Sequence, residues 1–145
     1  MNNDNNDYYD KVLNAVDNPT NESIMKLNNR KIKQIKNDLF QKLHFKKEYI
    51  KILHTKLKEY RFVDEMNEIN YGKYIRWINM KNIDNLKLTN GGIICEIIAT
   101  DNGNVITCKN NMNQLFRIKM EECLIFQKLS DQEKVLLSVM DYLDK

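Results

Sequence analysis

Residues 71–80, YGKYIRWINM, are where the hydrophobic period of this 145-residue chain changes. Upstream of Tyr71, apolar side chains recur every three or four positions; within the segment Ile75 and Trp77 alternate with polar neighbours, and short alternating runs follow to residue 127. Helices repeat about every 3.6 residues and half-buried strands every two, so the two halves must bury their apolar side chains against different surfaces. The expected class is α+β: a long N-terminal helix, a five-stranded antiparallel SH3-like barrel or bent meander, then a C-terminal helix.

Downstream of the switch, Gly91-Gly92 admits backbone angles closed to other residues and launches IICEIIA, a continuous apolar run expected to be a strand buried on both faces. Asp101-Asn102-Gly103-Asn104 predicts a tight hairpin joining residues 93–100 to 105–109, with Asn-Gly as its two-residue turn. A polar loop at 110–113 leads into 114–120, where Phe116, Ile118 and Met120 share one face against Arg117 and Lys119. Residues 123–127 supply a last strand with Leu124 and Phe126 inward. Ser130 and Glu133 then form a capping box for a helix carrying Leu136, Val139, Met140 and Leu143.

Upstream, the head at residues 1–7, MNNDNND, holds no apolar residue after its first and is expected to be frayed. The predicted organisation is this head, a helical segment at 8–66 and a barrel with its closing helix at 67–145, the last two forming one cooperative unit. Tyr8, Tyr9, Val12, Leu13 and Val16 fall at helical spacing after a candidate Asp7 cap, and Asn18-Pro19 ends that helix while being suited to start the next. To about Phe62 a single helix is expected, because Ile32, Ile35, Leu39, Leu43, Ile50, Leu53, Leu57 and Tyr60 step by threes, fours and one seven. Lys46 occupies the position that the seven skips, and two successive steps of four near Leu43 break a strict heptad. Leu43, Ile50, Leu53, Leu57 and Tyr60 are the candidate residues for self-association or partner binding.

Charge is segregated. Residues 23–62 hold twelve Lys or Arg and three acids, whereas residues 1–22 hold one Lys and five acids and residues 63–145 ten bases and twelve acids. The polar side of the long helix carries Lys31, Lys33, Lys36, Lys42, Lys47, Lys51, Lys56 and Lys58. Such a run could neutralise phosphates with salt-sensitive affinity. Lys31, Lys33, Lys36, Lys47, Lys51, Arg117 and Lys119 are therefore the candidate nucleic-acid contacts; the plain alternative is a solvated face in a chain rich in Lys and Asn throughout.

Catalytic signatures are missing. His44 and His54, ten residues apart, fall on different sides of a helix; Gly91-Gly92 lacks the Lys-Thr or spaced glycines of a phosphate loop. Cys95, Cys108 and Cys123 form no CxxC pair and read as reduced buried thiols, so no metal site and no cofactor is expected. No apolar stretch approaches a membrane span and no leader pattern begins the chain, which points to a reducing intracellular compartment.

The series GGII (91–94), VITCKN (105–110), LFRI (115–118) and LIFQK (124–128), followed by a charged helix, resembles small β-barrel domains in uncharacterised proteins of large nucleocytoplasmic DNA viruses. The resemblance covers residues 86–143, rests on glycines, a Lys-Asn turn and alternating apolar residues, and implies a small barrel and a viral source, hence host cytoplasm or virion. It brings no active site. The functional expectation is a non-catalytic interaction or assembly protein that binds a protein partner or a second copy of itself, with no membrane or small-molecule substrate. Nucleic-acid binding through the basic helix face is the alternative, and an enzyme without a local signature the minor one.

Overall fold

The computed structural model describes residues 3–144. Among them are four α-helices, α1 (Asn3–Asp17), α2 (Asn29–Lys42), α3 (Lys47–Lys56) and α4 (Asp131–Leu143), and three 3₁₀ segments at Pro19–Lys26, Met66–Glu68 and Met120–Glu122. Six strands, β1 (Tyr60–Val63), β2 (Tyr74–Asn79), β3 (Gly92–Thr100), β4 (Gly103–Lys109), β5 (Leu115–Lys119) and β6 (Cys123–Lys128), complete the α+β fold.

The single helix expected from Asn18-Pro19 to about Phe62 is broken twice: Pro19–Lys26 is a separate 3₁₀ segment followed by extended Leu27, with Asn28 capping α2, and α2 itself ends before α3. Leu43 caps α2, His44 takes a left-handed φ of 59°, and Lys46 starts α3. The second break falls where the apolar seam carries a lysine and loses its heptad, so one continuous helix would have aimed a charge at the side that α2 and α3 bury. The chain divides there: one compact unit holds the residues up to His44 with those from Leu129 on, and the other is Phe45–Lys128. That replaces the predicted boundary at residue 66.

In the helical unit, α1 and α4 pack together, and Ala15, Ile24, Ile32, Leu129, Leu136 and Leu137 form its core. The helix α1 begins at Asn3, so residues 3–7 of the expected frayed head are helical, since extending a formed helix costs far less than nucleating one. Met1 and Asn2 lie outside the described residues. Asn18 caps the 3₁₀ segment with Pro19 in its first turn, and Ser130 and Glu133 make the capping box of α4 as predicted. At the far end of α4 the Asp141 carboxylate accepts the Asn29 backbone N–H at 2.9 Å, and Asp144 accepts from Arg30 at 2.8 Å. Both acids thus sit against the first turn of α2, where the helix dipole favours negative charge.

The other unit is built on one antiparallel sheet in the order β1-β6-β2-β3-β4-β5. It is open rather than closed: β1 and β5 are its edges, so the five-stranded SH3-like barrel is corrected to a six-stranded sheet. The added strand is β1, which pairs with β6 from Tyr60↔Lys128 to Val63↔Ile125, where the helical pattern was expected to run on. Every strand sends residues to one shared core of Val63, Ile75, Trp77, Ile94, Ile106, Cys108, Ile118 and Ile125, with Ile69 and Met120 beside them. Because residues from both edge strands join that core, the sheet must curl around it.

Two devices allow the curl. A bulge between Ile94 and Glu96 puts Cys95 out of register, and such bulges bend a strand. At Gly91, φ is +86° and an added Cβ would collide with the Ile75 carbonyl oxygen, so the backbones approach closely only because no side chain stands between them. The hairpin forms one residue earlier than expected. Thr100 pairs with Gly103, leaving Asp101-Asn102 as the turn. Gly103 opens β4 at a φ of 118°, and the Glu121 carboxylate accepts the Asn104 N–H at 3.0 Å, which holds its carboxyl below the usual range.

Face assignments differ in two strands. In β6 it is Ile125 that joins the core, while Phe126 is buried on the other face, its ring 5.8 Å from Phe62. In β3 the apolar run is not buried twice over: Ile93 and Ile98 are 46% and 44% exposed.

Candidate functional site

Burial separates the predicted site residues. Ile50, Leu53 and Leu57 are buried, Leu43 and Tyr60 are half-buried, and Tyr60 belongs to β1, not to a helix. Ile50, Leu53 and Leu57 are therefore occupied by the chain's own packing. Burial also pushes the Tyr60 hydroxyl above its ordinary pKa.

Of the cations, Lys31 and Lys33 on α2, Lys47 and Lys51 on α3, and Arg117 and Lys119 on β5 are exposed. Lys36 is corrected. It is 3% exposed, and its ammonium is pushed down to about 8, chiefly by burial and secondly by the Lys33 charge. Its place one turn after Ile32 puts it on the inward side of α2, so it does not belong to a solvated basic face.

The exposed features that converge lie along β5. Leu115 is 66% exposed and Phe116 42%, and Met112 in the preceding loop reaches 77%. Asn110 shapes that loop: its carboxamide oxygen accepts the N–H groups of Met112 and Gln114 at 3.0 and 2.9 Å. Phe116 lies at the rim of the core, edge-on to Trp77 at 6.5 Å, so one side of its ring is packed while the residue remains largely open.

The direction of the β5 backbone follows from the register. Asn110 donates its N–H to the Gln114 carbonyl at 3.0 Å, and the pairs Lys109↔Leu115 to Val105↔Lys119 continue without a bulge. Antiparallel pairs alternate between those that exchange hydrogen bonds and those that do not. Phe116 and Ile118 therefore bond to β4, whereas Leu115, Arg117 and Lys119 turn their N–H and C=O groups to the open edge. Their side chains share the outer face with Lys109, Thr107 and Val105, which lie opposite them on β4.

Other groups offer less. Cys108 is pushed up to about 12, by burial first and then by the neighbouring Cys95, and burial raises Cys123 to about 11, so both thiols stay protonated and are poor nucleophiles. Cys95 is exposed and Cys123 half-buried, against the expectation of three buried thiols. His44 stands at the helix break and His54 on α3. Among the described residues no group of three His, Cys, Asp or Glu could hold a metal ion. A hollow of about 170 Å³ in the helical unit lies between Met25, Leu27, Met140 and Leu143, and at its rim Asn28 donates to Asp144 at 3.1 Å. No helix among the described residues is long and apolar enough to cross a membrane.

No protein-family model, curated protein or solved structure matches the chain. The β5 edge escapes a reading of the sequence because its openness is a property of strand order. The one local hint is the pair of cations on a five-residue strand, a device by which sheet edges resist uncontrolled pairing.

Proposed function

We propose that the protein is a non-catalytic interaction module that takes an extended segment of a partner protein along the open edge of β5. The observation carrying this reading is the edge itself: a strand with Leu115, Arg117 and Lys119 turning unpaired backbone groups outward, beside exposed Leu115 and Phe116. Strand addition draws affinity from such main-chain groups and selectivity from side chains at alternate positions. A long apolar edge without charges would invite any strand; Arg117 and Lys119 restrict the choice.

The test places a photo-crosslinking amino acid at Met112, beside the edge, in protein exposed to extract of its native source. A polypeptide adduct that disappears in Leu115→Pro is the expected result, since proline removes one outward N–H and crowds an incoming strand. Adducts indifferent to that substitution would refute docking at this edge.

A second reading, nucleic-acid binding, is favoured by one observation: Lys109, Arg117 and Lys119 lie together on the outer face, while the exposed ring of Phe116 stands on the opposite face of the same strand. Cations that meet phosphates and a ring that stacks on bases are the usual combination for single strands. Titration with DNA and RNA at two salt concentrations decides it, because phosphate-led binding weakens steeply as salt rises.

A further inference from the structure

Resting on the proposed docking at β5, we infer that the segment it takes is acidic, with carboxylates alternating with apolar residues. A strand added to the edge pairs residue by residue with β5, and directly opposed side chains stand on the same face about 5 Å apart. Arg117 and Lys119 point to the outer face, and Lys109 is opposite Leu115 on the neighbouring strand. On β3–β5 that face holds these three cations and one acid, Glu96, which lies two strands from the edge, opposite Thr107. Carboxylates placed opposite Arg117 and Lys119 would meet two exposed cations. On the other face the incoming strand meets the open side of Phe116, where an apolar residue removes ring surface from water.

A second copy of the chain fits less well. Two β5 strands paired antiparallel over their full length would set Arg117 against Arg117 of the other copy, and like charges directly opposed are destabilising. A basic segment meets the same repulsion. The edge is thus complementary to an acidic strand and mismatched to itself.

The experiment uses the full chain and three short labelled peptides of alternating sequence, valine with glutamate, valine with threonine and valine with lysine, at low salt. The valine–glutamate peptide is expected to bind about tenfold more tightly than the threonine peptide. The double variant Arg117→Glu with Lys119→Glu should reverse that order in favour of the lysine peptide. Both substitutions fall on exposed side chains, and thermal melting of each variant verifies that it is folded. Methylating alternate backbone nitrogens of the glutamate peptide should abolish binding, because pairing needs those donors. Equal binding of the threonine and glutamate peptides would overturn the acidic class while leaving strand docking standing. Binding of no peptide, or binding insensitive to methylation, would overturn both.

Discussion

The guanidinium of Arg61, 2% exposed on β1, donates to the Glu68 carboxylate at 3.0 Å in the loop that follows. The same carboxylate accepts the Glu65 N–H at 3.1 Å, and the Glu68 carbonyl accepts from the Gln127 carboxamide at 3.0 Å. One acid therefore compensates a buried charge and organises the turn that follows β1. Removing one partner of a buried pair is costly because the other charge stays desolvated. Glu68→Ala is expected to lower unfolding free energy by roughly 3 kcal/mol. Denaturant titration checks this, and a change under about 1 kcal/mol would show that the pair is not needed to compensate the arginine.

Leu53 gives a second expectation, opposite to the one its spacing suggests. Being fully buried, it is a core residue of the fold, and Leu53→Ala should cost roughly 2–5 kcal/mol in stability. Light scattering should show the same particle mass for the variant and the wild type below their melting temperatures. Dissociation of a larger species without loss of stability would return Leu53 to the role of an interface residue.

What the sequence discloses and what it hides follow one physical division. Local chemistry is legible: Asn18-Pro19, the Ser130–Glu133 box and all five expected strands are where short-range rules put them. Long-range placement is not. Tyr60 to Val63 continue a helical apolar spacing yet pair with β6, because a vacant ladder position on β6 outweighs weak local preference over four residues. Phe126 and Ile125 are both apolar, so alternation could not say which faces the core. Lys36 stands four residues after Ile32 and four before Phe40, the spacing of the buried stripe of α2, and its charge rather than its position hid that. For the site, Arg117 and Lys119 were visible as cations, whereas the edge that gives them meaning depends on which strands become neighbours.

Proline substitution tests the alternation along β5 directly. The Arg117 N–H faces the open edge, so Arg117→Pro removes a donor that has no ladder partner, and its cost should stay within about 1 kcal/mol. The Ile118 N–H points to β4, and Ile118→Pro leaves a carbonyl there unsatisfied at roughly 1–3 kcal/mol, before the loss of its apolar side chain is counted. Thermal melts of the two variants rank them. Equal destabilisation, or the reverse order, would count against this alternation.

Lys36 ties stability to pH with a definite sign. Its folded-state pKa of about 8 lies below the ordinary 10.5, so between those values the unfolded chain holds a proton that the folded chain has released. Unfolding then takes up protons, and this group's contribution makes the fold more stable as pH rises through that window. Below about 8 the lysine is charged in both states and the full penalty applies, on the order of 3 kcal/mol. Cys108 and Cys123 act the other way above their ordinary value of 9.0, because their raised folded-state pKa values stabilise the fold only while the unfolded thiols remain protonated. The lysine is therefore isolated by difference. Lys36→Met should melt higher than the wild type at pH 7, and its advantage should shrink as pH climbs from 8 toward 10.5 while the thiol contribution cancels between the two proteins. An advantage that stays constant across that range would mean the lysine is already neutral, or equally solvated, in both states.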